Sequence, residues 1–146
     1  MKSFFLGLCA VFFLSFYSNT DDALAKEVLK ETNQFRQSRS KKPLQWHDGL
    51  SEIARKHSEA MASGATPFGH QDFKLRDKEA RQILDARLSA TAENVAFGPE
   101  TAAEVVKGWK DSPGHRQNML GNFRYIGIGT AKSPAGITYY TQLFVE

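Results

Sequence analysis

The chain has 146 residues, a formal net charge of +3 and a pI near 9.0, a balance too mild to mark a nucleic-acid binder. Its single cysteine, Cys9, lies in an apolar N-terminal run, so the remaining body has no disulfide and no zinc–thiolate chemistry. A body of roughly 120 residues buries an adequate core without such staples, and no repeat, low-complexity tract or linker divides it.

Lys2 precedes an apolar run from Phe4 to Phe16, which Ser18-Asn19-Thr20-Asp21-Asp22 closes. A positive tip, a short apolar stretch and a polar boundary are the parts of a secretory signal. The run falls short of the roughly 20 apolar residues of a membrane span. Residues 1–20 are therefore expected to be a signal peptide cut before Asp21, with a cut before Lys26 as the alternative. Residues 21–146 would then be secreted or periplasmic, with no stable membrane insertion after cleavage. An exported body without disulfides is compatible with a bacterial envelope or secretome.

Leu24, Val28, Leu29, Thr32 and Phe35 recur at helical spacing and predict a helix over 22–37, stopped by the basic stretch that ends at Pro43. Asp48 is the expected N-cap of a second helix running to about Ala62, with Gly64 as its left-handed end. Leu50, Ile53, Ala54, His57 and Met61 form its inward face. A loop over 65–72 leads to a charged helix over 73–86, where Lys74, Arg76, Lys78, Arg81 and Arg87 mix with acids as a solvated face. Residues 93–98 read as a short extended segment ending in a turn. Thr101 caps a helix to Lys110 with Val105, Val106 and Trp109 facing in. Ser112 as N-cap and Pro113 at the first helical position begin another short helix through Leu120. The last two runs, 125–131 and 137–145, alternate with period two about a Ser-Pro-Ala-Gly turn and predict a β-hairpin. Helices first and strands last make the fold class α+β, a layered domain rather than a parallel βαβ sheet.

The four histidines carry unequal weight. His57, on an apolar helix face, reads as a core residue with a satisfied hydrogen bond. His47, beside a helix start, reads as exposed or as a substitute cap. His70 and His115 each follow a glycine outside regular core, and His115 lies in the first turn of its helix, where the dipole favours neutral imidazole. Glu93 opens an extended segment that could hold its carboxylate in place. Two imidazoles and a carboxylate suit a weak divalent-metal site or general acid–base work, although spacing alone favours a polar cluster that is only hydrogen bonded. No H-E-x-x-H, G-x-S-x-G or P-loop pattern is present. Tyr139, Tyr140 and Phe144 read as ordinary strand residues.

The ordered motifs Leu44-x-Trp46-x-x-x-Leu50, Ala54-x-x-His57-Ser58-x-x-Met61-Ala62, Gly69-His70, Glu93-Asn94-Val95-Ala96 and Trp109-x-x-Ser112-Pro113-Gly114-His115-Arg116 span nearly the whole body. With Tyr125-Ile126-Gly127-Ile128-Gly129 and Tyr140-Thr141-Gln142-Leu143-Phe144, they resemble the CAP superfamily of cysteine-rich secretory proteins, antigen 5 and pathogenesis-related 1 proteins, in a compact bacterial form. The resemblance implies an α-β-α sandwich with an antiparallel sheet between helical layers. It also implies a cleft with two histidines, His70 and His115, and a first glutamate, Glu93. Ser112 stands three residues after Trp109, where many eukaryotic members have a second glutamate, so that carboxylate is absent. Asp111 would point elsewhere if Ser112 caps. Asn33-x-x-Arg36 resembles the end of the family's first-helix motif, with Thr32 where a histidine often stands, and is read as structural.

Two functions follow from this reading. The first is a secreted binding module for a protein, lipid or cell-envelope ligand, whose cleft holds Zn2+ or another divalent cation weakly through His70 and His115, with Glu93 positioning a water. The second is a metal-assisted hydrolase acting on peptide or cell-envelope material with Glu93 as general base. The missing second carboxylate favours the first.

Overall fold

Alternation along the last two strands sends successive side chains to opposite faces, and the two faces are covered by different helices. The computed structural model describes residues 18–85 and 90–146; the expected signal peptide falls mostly outside them, as does Arg87. The elements are α1 (Ser18–Ser38), β1 (Gln45–Trp46), α2 (Asp48–Ala62), α3 (Phe73–Ile83), β2 (Thr91–Phe97), α4 (Ala102–Asp111), α5 (Pro113–Met119), β3 (Tyr125–Lys132) and β4 (Thr138–Val145). The sheet runs β1-β3-β4-β2. Strands β2, β4 and β3 pair antiparallel, while the two-residue β1 lies parallel to β3 at the far edge.

Leu143 and Val145 of β4 pack with Leu50, Ile53 and Ala54 of α2 and Ala80 of α3. Tyr140 and Phe144 point the other way, into Val28 and Phe35 of α1, Val105, Val106 and Trp109 of α4 and Met119 of α5. This is the expected α-β-α sandwich. Each layer buries the apolar stripe that its own sequence carries, the arrangement that offsets the entropy of ordering the chain.

Helix α2 lies directly on β3 because that strand carries glycine where the two backbones meet. A Cβ at Gly127 would fall 2.1 Å from the Leu50 carbonyl carbon, and one at Gly129 would fall 2.1 Å from the Arg55 nitrogen. Ser58 Oγ, on the same helix face, donates to the Gly129 carbonyl at 3.0 Å and lies 2.8 Å from Thr141 Oγ1.

The helix ends follow local chemistry, with two corrections. Thr101 caps α4 in a full capping box with Glu104. At α2 the cap is His47, whose Nδ1 accepts from the Leu50 N–H; Asp48 sits one residue inside, accepting from Trp46 Nε1 at 2.7 Å, where a carboxylate suits the positive end of the dipole. Helix α3 ends at Ile83 rather than residue 86. Arg36, buried, donates to the carbonyls of Lys42, Met119, Gly121 and Phe123, tying α1 to the end of α5, and Asn33 exchanges two hydrogen bonds with the Leu44 backbone. Both are structural, as the sequence suggests.

Candidate functional site

His70 stands in the loop between α2 and α3, after Gly69 at φ +138°. Three side chains fix that loop. His57 Nε2 lies 2.8 Å from the Gly69 carbonyl; a carbonyl only accepts, so His57 carries its proton on Nε2. Arg76 Nη1 donates to the Gln71 carbonyl at 2.7 Å. His70 Nδ1 donates to Glu93 Oε1 at 2.9 Å. His57 is thus the satisfied core residue expected from its helix position.

Glu93 projects from β2 toward α3 and is almost wholly buried. Arg76 clamps it in a fork, Nε to Oε2 at 2.7 Å and Nη2 to Oε1 at 2.8 Å. Both carboxylate oxygens are therefore held by N–H donors before any ligand arrives. The expected solvated face of α3 is corrected here: Lys74 and Lys78 are exposed, Arg81 pairs with Asp77, and Arg76 is buried in the site. Its position three residues after Phe73 and four before Ala80, both packed inward, puts it on the apolar side of the helix. That spacing was the available signal.

His115 reaches the same edge of the sheet from α5. Strand β2 is the outer strand there, and Asn118 Nδ2 donates to the Glu93 carbonyl at 3.2 Å and to Asn94 Oδ1 at 2.9 Å. Asn94 Nδ2 in turn donates to the His115 carbonyl and to Gln142 Oε1, each at 3.2 Å, and Gln142 Nε2 donates to Thr32 Oγ1 at 2.9 Å. This amide chain runs from α1 through β4 and β2 to α5 and sets where α5 sits against Glu93. The His115 ring itself meets Ser112, Nδ1 to Oγ at 2.9 Å. Ser112 holds the N-cap position but makes no cap bond with its side chain. Asp111 points away to Lys107.

Direct contact therefore joins His70 to Glu93, and backbone anchors bring His115 alongside. Its pKa is lowered chiefly by burial and further by the nearby His70 imidazole. Among the described residues, no group of three or more His, Cys, Asp or Glu side chains converges as a metal cage. The neutral His70 ring carries its proton on Nδ1 to serve Glu93, and its Nε2 is then a lone pair on a ring about half exposed (51 %). A cavity of about 730 Å3 lies elsewhere, between α1, α2 and β3, and is lined by Asp21, Glu52, Glu59 and Trp46 among others.

Burial depresses the His57 pKa below its usual 6.5, with Arg76 and His70 lowering it further against Gly69 and Glu93. The unfolded chain thus takes up this proton first as pH falls, and stability drops below about pH 6.5. Urea unfolding is expected to show a flat stability above neutrality and a decline on acidification. Exchanging His57 for glutamine, which keeps an N–H for Gly69, should flatten that decline; an unchanged slope would assign it to other groups.

The model of the cysteine-rich secretory protein (CAP) family matches residues 29–144. The chain belongs to the CAP family. The CAP domain is 36 % identical over 125 residues to the uncharacterized protein YkwD of Bacillus subtilis strain 168 and 30 % identical over 125 residues to that organism's uncharacterized membrane protein YlbC. These matches take in 84 % and 83 % of this chain but only 47 % and 34 % of the relatives, so it spans half their length or less. Among solved structures, an extracellular SCP-domain protein of Bacillus anthracis superposes with a TM-score of 0.73 at 24 % identity, covering 86 % of this chain and 41 % of that one. An outer surface protein of Borrelia burgdorferi superposes with a TM-score of 0.71 at 23 % identity, over 83 % and 90 % of the two chains. At these identities the likeness speaks for the fold. Among the described residues of the CAP domain, no helix is long and apolar enough to cross a membrane.

Proposed function

We propose that this CAP domain is an exported binding module whose cleft, at the outer edge of β2, holds a divalent cation weakly through His70 and His115. The observation that carries this is the state of Glu93. Its carboxylate is committed to Arg76 and His70, so it orients an imidazole rather than waiting as a base. A partner that presents a carbonyl or carboxylate, from a protein, a lipid headgroup or the cell envelope, would complete the coordination of such a two-imidazole site. Zn2+, which takes imidazole readily, is the best candidate, and its chemistry there would be to polarise the partner's oxygen.

Export by a leader over residues 1–20 fits the folded body better with a cut before Asp21 than before Lys26. The later cut would remove Ala25, buried against Val28 and Trp109 in the core, and the Asp21 carbonyl that accepts from Thr130 Oγ1 at 3.0 Å.

Calorimetric titration with Zn2+ is expected to give one weak site that disappears in His70→Ala and in His115→Ala while the thermal transition persists. No zinc heat from the wild type would sink the metal part of this reading. Turnover of a peptide or peptidoglycan library, lost on substituting either histidine, would replace binding with hydrolysis as the function.

A further inference from the structure

The two imidazoles of the cleft are each held through Nδ1, but by partners of different kind. His70 Nδ1 donates to a carboxylate, which can only accept and so dictates the tautomer. His115 Nδ1 faces the hydroxyl of Ser112 at 2.9 Å, a group able to give or to take.

The local backbone explains why these two meet. Ser112 joins α4 to α5 in extended conformation (φ −96°, ψ 119°). Its N–H donates to the Trp109 carbonyl at 3.3 Å and its carbonyl accepts from the Arg116 N–H at 2.9 Å. Pro113, without an N–H, fixes the first helical residue. The three-residue spacing then brings the Ser112 and His115 side chains together over the first turn. Because Ser112 makes no side-chain cap bond, its hydroxyl is left for the His115 ring.

We propose that Ser112 is the positioning residue of His115: its Oγ accepts the Nδ1 proton and so presents the Nε2 lone pair to the cleft, as Glu93 does for His70. A neutral imidazole has one N–H, on Nδ1 or on Nε2. Ser112 is only partly buried, so its own hydrogen can turn to water when Oγ accepts. In the opposite arrangement the hydroxyl donates into Nδ1, and the cleft then meets an N–H that no cation can use. With Oγ accepting, both rings offer the same atom to one ligand. Serine carries no charge, and Arg76 already balances Glu93, so the site gains no net negative charge from its supports and its grip on a dication is weak. The choice of tautomer rests on the binding function proposed above, because a cation in the cleft needs the Nε2 lone pair; the Ser112–His115 contact itself does not.

The decisive measurement is a 15N NMR correlation of ring nitrogens with ring carbon-bound protons, on metal-free protein at neutral pH. Expected for His115 are a protonated Nδ1 and an unprotonated Nε2, retained in Ser112→Thr and replaced by a mixture or by the other tautomer in Ser112→Ala. A wild-type His115 protonated on Nε2, or a tautomer unmoved by Ser112→Ala, would overturn the proposal. The three other histidines report whether the fold is intact. Zinc titration of the same proteins should show affinity reduced about 10-fold or more in Ser112→Ala, little changed in Ser112→Thr and increased in Ser112→Glu. Equal affinity in Ser112→Ala and wild type would also count against it. A wild type that shows the expected tautomer and no zinc binding leaves the positioning role standing and removes the metal function.

Discussion

Replacing Arg76 with methionine is expected to lower the unfolding free energy by about 3–5 kcal/mol, the usual cost of leaving a buried charge without its partner. Glu93 is at the centre of that expectation. It is buried, and the Arg76 fork supplies two of the three side-chain N–H donors on its carboxylate. Methionine fills the space of the aliphatic stem but supplies no donor, and the Gln71 carbonyl also loses its bond. The His70 loop should loosen together with the loss of stability, because two of its three anchors pass through Arg76 and Glu93. Urea unfolding measures the first effect, and amide hydrogen exchange over residues 66–72 measures the second. A second substitution separates pairing from packing: Arg76→Met with Glu93→Leu should recover much of the loss, since an apolar pair often matches a buried ion pair in stability. A single mutant within about 1 kcal/mol of wild type would mean that water reaches Glu93 and that the ion pair behaves as a surface one.

Gly129→Ala is expected to destabilise by about 3 kcal/mol, at the upper end of overpacking costs. One methyl group suffices because the obstacle is backbone. The added carbon would stand 2.1 Å from the Arg55 nitrogen and 2.3 Å from its Cα, and no rotamer change relieves a contact with a helix main chain. Helix α2 must lift from β3, straining the Ser58 bonds to Gly129 and Thr141 and shifting His57, which holds the Gly69 carbonyl. Gly108→Ala in α4 is the matched control. Open space surrounds that position, and alanine should there stabilise by about 0.5–1 kcal/mol through helix propensity. Thermal unfolding of the two variants should therefore move in opposite directions. Equal shifts would show that α2 has freedom to retreat.

Much of the architecture was written locally. Thr101 with Glu104 three residues on, Pro113 behind Ser112, and the alternation about Ser133–Gly136 each specify an element through its own neighbours, so their positions held. The N-cap of α2 is His47 rather than Asp48 because His47 Nδ1 takes the Leu50 N–H and Trp46 Nε1 draws the Asp48 carboxylate away. Arg76 was hidden for a different reason. A charged residue among charged residues reads as solvated, and its burial depends on a glutamate 17 residues away. The Thr32–Gln142–Asn94 chain was equally out of reach, with partners up to 110 residues apart.

The sequence by itself determined the α+β layering, the hairpin, the CAP motifs and the pairing of His70 and His115 as candidates, because these follow from periodicity, capping and ordered residue patterns. Only the tertiary structure decided what Glu93 does. A carboxylate's role depends on who occupies its oxygens, and those occupants are brought to it by α3 and by the α2–α3 loop packing on the sheet. The same holds for Ser112, whose hydroxyl gains a purpose only once the turn between α4 and α5 sets it against His115.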